Sequence, residues 1–308
     1  MKKIVLLLVL AVSVLSSCTR DATAKSGQEP WPKTFRYNVA IGVEDLSARE
    51  KRVDLIKGYL ERQLGMPVEI TTTVGYGPVI EAMRAKKIDA SAMGPFAYLI
   101  ASEKAGAEAI VTRGSAKDGN PGDYAGTIAV PADSPYQSID ELVKHAKDVT
   151  ISFVDPASAS GFLVQRAYLD SRGVNPETDF KKIVFSNNHI ASAMTLLAHK
   201  VDAAAISENT FNTLVKKGNV KPEEVRTLWK SPPIPNSPIA VRKDLPAELK
   251  RKLQDVLVEM PVKAPEVYSG MLTTVAPPDT TYVRINDATF DGLRNMARGV
   301  KTTKLLEH

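Results

Sequence analysis

Residues 153–163 read FVDPASASGFL, a short apolar strand that stops at an Asp-Pro pair and is followed by the start of a helix. A helix N-terminus presents free N–H groups and about half a positive charge, which binds a phosphate-like anion without lysine or arginine. Ser158 and Ser160 add hydroxyl donors, while Ala159 and Gly161 let a ligand approach the backbone closely. The alternative is a helix capped by the Ser158 side chain with nothing bound.

Strands and helices alternate on both sides of this segment. Short apolar runs predict strands at 36–42, 67–73, 88–93, 127–130, 150–154, 182–185, 203–206 and 239–241. Apolar residues at helical spacing predict helices at 49–64, 78–87, 139–145, 161–171, 190–199, 247–260 and 289–298. Strands that alternate with helices of this length indicate βαβ units and a mostly parallel sheet, so the predicted fold class is α/β.

Two segments are predicted to cross between lobes. One lies near residues 130–131, and the other is the proline-rich stretch 231–238, which is predicted to be stiff and without a regular element. They divide the chain into a discontinuous lobe 1 (34–130 plus 237–300) and a continuous lobe 2 (131–236). Two lobes joined by two hinge strands leave a cleft beyond the carboxyl ends of both sheets, where ligands bind. One large sheet, or two domains in series, are the alternatives.

The N-terminus has the pattern of a secretory signal. Two lysines precede an apolar run, 4–15, which is shorter than the roughly 20 residues that a spanning helix needs. The run ends in LSSC, which resembles the lipobox of bacterial lipoproteins. Residues 1–17 are therefore predicted to be a lipoprotein signal peptide, Cys18 the lipid anchor to a membrane, and 18–33 a flexible tether. The alternative is an ordinary signal peptide whose cysteine is incidental.

Composition excludes several other classes of protein. The chain has 308 residues, of which 44% are hydrophobic and 24% charged, ordinary values for a globular protein. A single Cys excludes a disulfide framework, and four His leave little room for a metal centre. The formal net charge of +5 falls when residues 1–17 are removed, because they carry two lysines and no acid. So mild a charge, without an Arg/Lys-aromatic cluster, does not predict a nucleic acid partner.

Residues 155–163 are similar to a hallmark of the periplasmic binding proteins of phosphonate, phosphite and phosphate ABC importers. The resemblance continues in order through residues 76–84, 87–89, 94–98, 188–189, 201–204 and 229–235. It implies a type II periplasmic binding protein, in which two α/β lobes close on an oxyanion and then dock on an ABC permease. It also implies a monomer that is not an enzyme and needs no cofactor or metal.

The same resemblance implies which residues hold the anion. Ser158, the Ala159 N–H group, Ser160 and Gly161 are expected to bind it, although many members of the family carry Thr at the position of Ala159. His189 matches a histidine that donates to the anion from the start of the next helix. The alternative for His189 is a purely structural role.

Aromatic residues are expected at the cleft as well. Tyr76, from lobe 1, matches a ring that closes over the ligand and donates its hydroxyl; its alternative is an exposed turn residue. Tyr124 is a second candidate, with a surface loop as the alternative. Of Phe96 and Tyr98, one is expected to lie in the core.

Two aspartates lie in matching motifs, Asp89 in Lys-Ile-Asp and Asp202 in Val-Asp-Ala. Both are predicted to cap the start of a strand instead of contacting a ligand.

Acidic residues near the anion would indicate an amino group on the ligand, because a desolvated ammonium without a partner is costly. Members of the family that take aminoalkylphosphonates offer two such acids. Here Asn236 and Ser237 occupy the second position, and Glu208 is the candidate for the first, although Asn209 is the closer match by spacing. The sequence therefore favours a small oxyanion such as phosphite, methylphosphonate or phosphate.

Two other functions stay open at this point. An enzyme on the same fold would use Asp155 and His189 beside Ser158 as a triad, although no familiar Ser-His-Asp spacing stands out. A ligand sensor would dock on a membrane receptor instead of a permease, and the residues do not separate that case from transport.

Overall fold

The structure, a computed structural model, describes residues 30–40 and 46–300. The predicted signal peptide and Cys18 lie outside these ranges, as does the predicted tether up to residue 29. The last tether residues belong to the folded body. Trp31 packs against a hydrophobic core, and the Lys252 ammonium lies 5.4 Å from the centroid of its ring. The folded body was predicted to begin at residue 34, but it begins earlier in the chain.

The described residues form thirteen strands and eleven helices. The strands are β1 (Phe35–Ala40), β2 (Val68–Thr73), β3 (Ala90–Ala92), β4 (Ala107–Ser115), β5 (Asp123–Tyr124), β6 (Gly126–Pro131), β7 (Thr150–Phe153), β8 (Lys182–Phe185), β9 (Ala203–Ser207), β10 (Val225–Lys230), β11 (Ile234–Pro235), β12 (Pro238–Arg242) and β13 (Thr280–Arg284). The helices are α1 (Leu46–Leu64), α2 (Tyr76–Arg84), α3 (Pro95–Lys104), α4 (Ile139–Lys144), α5 (Val164–Ser171), α6 (Pro176–Asp179), α7 (His189–Leu197), α8 (Glu208–Lys216), α9 (Ala247–Lys263), α10 (Pro265–Met271) and α11 (Asp291–Gly299). A π-helical turn, Ala159–Leu163, leads directly into α5. Within the described ranges, no helix combines the length and the apolar character that crossing a membrane requires.

The strands form two main sheets and one small one. Lobe 1 is built on six strands in the order β13-β4-β12-β3-β1-β2, and lobe 2 on five in the order β10-β6-β9-β7-β8. The chain crosses between the lobes twice, through β5 and β11, which pair antiparallel with Ile234 opposite Tyr124. The predicted α/β fold, with two lobes joined by two hinge strands, is confirmed.

The crossings lie at other residues than those predicted. Strand β6 pairs with β9 and β10, so the boundary predicted after residue 130 falls inside the sheet of lobe 2. The proline-rich stretch 231–238, predicted to lack an element, contains β11. Strands of two residues carry no periodicity, so a sequence pattern does not indicate them.

Both sheets are mixed, whereas mostly parallel sheets were predicted. Strand β1 runs parallel to β2 and β3, and β7 runs parallel to β8 and β9. Strands β6 and β12 run antiparallel to their neighbours. Each of these two strands follows a hinge crossing instead of a helix, so it does not need the long return connection that makes neighbouring strands parallel.

Burial explains why these segments form these elements. The apolar residues of α1 at positions 56, 59, 60 and 64 share one helix face and are all buried against the sheet of lobe 1. Strand β9 is buried along its whole length because helices cover both faces of its sheet. The chain leaves β3, β7 and β9 at their carboxyl ends and there supplies residues to one cavity between the lobes.

Candidate functional site

Local hydrogen bonds fix the conformation at the start of the helix that follows β7. The Asp155 carboxylate accepts the Ala157 N–H group at 2.7 Å, and the Asp155 carbonyl accepts the Ser158 N–H group at 2.9 Å. The Ser158 hydroxyl oxygen then caps the helix by accepting the Gly161 N–H group at 3.0 Å. These bonds fix the first turn, 159–163, with its backbone N–H groups directed out of the helix.

Two of those N–H groups are free. Among the described residues, the N–H groups of Ala159 and Ser160 have no hydrogen-bond partner. Ser158, Ala159 and Ser160 line a cavity of about 550 Å³ between the lobes. Because the backbone there is buried, a ligand that accepts hydrogen bonds would satisfy groups that are otherwise costly to leave unpaired.

His189 faces this helix start from the first position of α7. Asn187 adopts a left-handed φ of 68°, and the Asn188 side chain caps α7 by accepting the Ala191 N–H group at 2.8 Å. His189 Nδ1 accepts the Ser207 N–H group at 3.0 Å, and its Nε2 lies 3.3 Å from the Ser160 hydroxyl.

The hydrogen bond at Nδ1 determines the tautomer of His189. A backbone N–H group only donates, so Nδ1 must be unprotonated and the neutral ring carries its proton on Nε2. Burial lowers the pKa of His189 to about 4, so the ring is neutral at neutral pH. The residue therefore presents one N–H donor to the cavity beside Ser160.

Tyr76 reaches the helix start from lobe 1. Gly75 supplies the positive φ of 83° that begins α2, and the Tyr76 ring lies so close to Gly94 that a Cβ there would come within 2.7 Å of it. Burial raises the pKa of Tyr76, an interaction with the Ser158 hydroxyl opposes the rise, and Asp155 reinforces it. The two lobes thus place Tyr76 and Ser158 together across the cleft.

Tyr124 approaches from the hinge strand β5 and lines the same cavity. Burial raises the pKa of its phenol, and an interaction with the Ser160 hydroxyl opposes that rise. One tyrosine from lobe 1 and one from the hinge therefore meet the two serines of the helix start.

Two of the predicted site residues have other partners. The Gly161 N–H group donates to Ser158, so it is not free for a ligand, and a Cβ at Gly161 would overlap Val154 and lie 2.9 Å from His189 Cε1. The close packing at this position therefore requires glycine. Glu208 is not among the residues that line the cavity, and its carboxylate accepts a hydrogen bond from Lys230 Nζ at 2.6 Å.

Asn209 lines the cavity in place of Glu208, as its spacing indicated. Asn209, Thr210 and Thr213 line the cavity from one side of α8, and at about 100° per residue this leaves Glu208 on the other side of the helix.

Several of the residues that line the cavity were missed by the sequence analysis. Arg113 extends from β4, a strand that was not predicted, and it is the one charged side chain among the described residues that line the cavity. The single Arg in the run 107–115, which is otherwise apolar or small apart from Glu108, was the available signal.

Comparison with known proteins identifies the family of this chain. A family model described as "ABC transporter, phosphonate, periplasmic substrate-binding protein" matches residues 43–288. The chain belongs to this family. Membership implies a periplasmic location and a role that is not enzymatic, so the predicted family and the absence of catalysis are confirmed.

Two curated relatives are similar in sequence. The chain is 32% identical over 196 residues to the phosphonates-binding periplasmic protein of Escherichia coli (strain K12), a match that covers 64% of this chain and 57% of the relative. It is 30% identical over 257 residues to the phosphate-import protein PhnD of Mycolicibacterium smegmatis, covering 79% of this chain and 77% of the relative.

Solved structures share the fold. A binding protein component of an ABC phosphonate transporter from Pseudomonas aeruginosa matches with a TM-score of 0.74 at 24% identity, over 87% of this chain and 86% of that one. PhnD1 from Prochlorococcus marinus, solved in complex with methylphosphonate, matches with a TM-score of 0.72 at 19% identity, over 87% of this chain and 98% of that one. Identities this low establish the architecture alone.

The geometry of this periplasmic binding protein does not form the alternative Ser-His-Asp triad. His189 Nδ1 faces the Ser207 N–H group instead of a carboxylate, and Nε2 lies beside Ser160, not Ser158. The Asp155 carboxylate is bound to the Ala157 N–H group. A triad needs a carboxylate on the far side of the imidazole, so this histidine is not set up to act as a base. In the part of the chain that the structure describes, no cluster of His, Cys, Asp and Glu could hold a metal ion.

Proposed function

We propose that this protein captures a phosphorus oxyanion, such as phosphite, a phosphonate or phosphate, and delivers it to the permease of an ABC importer. The observation that carries the proposal is the free N–H pair of Ala159 and Ser160 beside the Nε2–H group of His189. These donors are neutral N–H groups, so they need no acidic side chain to balance a charge. The helix N-terminus adds favourable electrostatics for a negative group.

The rest of the cavity supports an anion. Of the described residues that line it, none is Asp or Glu. A ligand with an ammonium group would therefore lose its hydration without gaining a carboxylate partner. The names of the relatives, one binding phosphonates and one importing phosphate, agree with this class of ligand. Tyr76 and Tyr124 are proposed to donate their hydroxyls to the bound anion.

Capture is proposed to join the two lobes. Tyr76 belongs to lobe 1, and Ser158, Ser160 and His189 belong to lobe 2, so an anion between them would bind to both. Contacts made only in the closed arrangement shift the population towards it. We propose lobe boundaries at the hinge strands β5 and β11, and a monomer as the unit that docks on the permease.

Calorimetric titration of the mature protein with phosphate, phosphite, methylphosphonate, 2-aminoethylphosphonate and sulfate tests the proposal. We expect micromolar or tighter binding of at least one phosphorus oxyanion, with 2-aminoethylphosphonate weaker than methylphosphonate. Ser160→Ala should weaken binding by about 1–3 kcal/mol because a hydrogen bond to a charged group is lost. Ser192→Ala is the matched control, since Ser192 is buried in lobe 2 away from the cavity. No heat with any phosphorus oxyanion would refute the proposal.

Attachment to a membrane through Cys18 is a separate proposal, supported by the lipobox-like sequence LSSC. One acyl chain anchors only marginally, so a stably anchored lipoprotein should carry more than one. Cys18→Ser should move the protein from the membrane fraction to the soluble periplasmic fraction. If the wild-type protein and Cys18→Ser divide between the two fractions in the same proportion, the cysteine is incidental.

A further inference from the structure

Arg113 is a cationic group at the cavity with no anionic partner. Its Nη1 donates to the Thr274 hydroxyl at 3.0 Å, and its Nη2 lies 3.4 Å from Asn236 Oδ1. Both partners are neutral, and among the residues of 30–40 and 46–300 no carboxylate lies within ion-pair distance of this guanidinium. The Arg113 guanidinium is half-buried, so it has lost part of its hydration. Its partners are neutral, so no opposite charge offsets the free-energy cost of that loss.

Two tyrosines of lobe 1, Tyr282 and Tyr268, lie near Arg113. Tyr282 lines the cavity, and its ring meets that of Tyr268 edge-on with the centroids 5.1 Å apart. The Tyr268 hydroxyl is buried, since the residue is 8% exposed, and it has no hydrogen-bond partner among the described residues. Burial raises the pKa of Tyr268 to about 12, and the charge of Arg113 opposes that rise. Arg113 and Tyr282 therefore line the cavity together, and the Tyr268 hydroxyl nearby is buried without a partner among the described residues.

The cavity is also larger than one tetrahedral anion requires. Its volume is about 550 Å³, and cavities of roughly 300–1,000 Å³ commonly hold ligands of drug size. The donors at the helix start belong to lobe 2, whereas Arg113 and Tyr282 belong to lobe 1. The cavity thus carries donors from both lobes, with Tyr124 of the hinge near Ser160 on one side and Arg113 on the other.

We propose that the ligand is a phosphonate that carries a second acidic group, a carboxylate at the end of a short carbon chain, bound by Arg113. This inference rests on the proposed function, because it assumes that the phosphonate group occupies the helix start. A carboxylate matches the planar fork of a guanidinium and supplies the missing negative charge. The Tyr282 hydroxyl is a further donor to the same carboxylate.

Paired ligands test this directly. 3-Phosphonopropionate and propylphosphonate have the same phosphonate group and similar length, but only the first ends in a carboxylate. We expect the wild-type protein to bind 3-phosphonopropionate about tenfold or more tightly than propylphosphonate, and Arg113→Gln to reduce this ratio to about one. Arg284→Gln is the matched control, since Arg284 also belongs to the lobe 1 sheet but pairs with Asp255 outside the cavity.

Asn236→Asp provides a second variant of nearly unchanged shape. It would place a carboxylate where Asn236 Oδ1 already lies 3.4 Å from Arg113 Nη2, so an internal negative charge would replace that of the ligand. We expect this variant, too, to lose the preference for 3-phosphonopropionate.

The outcomes separate the inference from the function on which it rests. A wild-type ratio of one or less, or a ratio that Arg113→Gln leaves unchanged, overturns the inference while methylphosphonate still binds. An unchanged ratio with both ligands weakened equally by Arg113→Gln would assign Arg113 to the phosphonate group itself. If no phosphonate binds the wild-type protein, the proposed function fails, and the inference fails with it.

Discussion

Lowering the pH should destabilise the ligand-free protein through one histidine, His189. Burial lowers its pKa to about 4, and the Ser207 N–H group donates to Nδ1 at 3.0 Å, so a second proton on the ring would oppose an existing donor. An unfolded histidine titrates near its ordinary pKa of about 6.5. Between these two values the unfolded chain binds a proton that the folded chain does not, so stability is lost as the pH falls.

The size of this effect follows from the two pKa values. Relative to pH 7, the free energy of unfolding should fall by about 2 kcal/mol at pH 5 and by about 3 kcal/mol at pH 4 through this residue alone. His189→Asn removes the titration, while its short side chain keeps an oxygen near the position of Nδ1 to accept the Ser207 N–H group.

Urea unfolding of both proteins at pH 7, 6, 5 and 4 measures the difference. Carboxylates and the other histidines titrate in both proteins, so their contributions cancel when the two curves are subtracted. The wild-type protein should lose about 3 kcal/mol more than His189→Asn over this range. Parallel curves would refute the assignment of His189 as a buried neutral donor.

Three further substitutions test individual contacts. Ser158→Ala should lower the free energy of unfolding by about 1 kcal/mol through the lost helix cap, and it should also weaken oxyanion binding. The control Ser138→Ala removes the cap of α4 and should lower stability alone. Urea unfolding measures the effect on stability, and calorimetry measures the effect on binding. Gly94→Ala places a Cβ 2.7 Å from the Tyr76 ring, so it should weaken calorimetric binding by displacing that ring. Glu208→Gln breaks an ion pair on the surface, so it should change stability by less than about 1 kcal/mol and leave binding unaltered; weaker binding would place Glu208 back in the site.

Much of the fold was predictable because its elements have strong local signals. The predicted strand 182–185 coincides with β8, and the apolar spacing of 49–64 marks most of α1. The two capping aspartates are confirmed: the Asp89 carboxylate accepts the Arg36 N–H group at 2.7 Å, and that of Asp202 accepts the Thr150 N–H group at 2.7 Å. Each aspartate directly precedes a strand, which is the local signal, whereas the N–H group that it binds lies 53 residues away for Asp89 and 52 for Asp202.

Elements without a polar face were missed. Helix α3 is buried from Pro95 to Ala101, so it has no alternation of apolar and polar sides, and its start after Gly94 was read as the end of a strand. Phe96 and Tyr98 are both fully buried, whereas only one of them was expected in the core. The Tyr98 ring packs on Phe290, which is distant in sequence, so no local pattern announces that contact.

The candidate site was predictable on the lobe 2 side and less so elsewhere. Ser158 and Ser160 follow a strand and lie at the start of a helix, which Ser158 caps, so their position is encoded within a few residues. That Tyr76 meets Ser158 depends on how the lobes face each other, and Arg113 depends on a strand that the sequence pattern did not indicate. Long-range pairing, not local propensity, determines both.

A crystal structure of the protein with methylphosphonate bound tests the central claim most directly. The phosphonate oxygens should lie about 3 Å from the Ala159 N–H nitrogen, the Ser160 hydroxyl and His189 Nε2. A phosphonate group bound only at Arg113, with the helix start facing water, would contradict it.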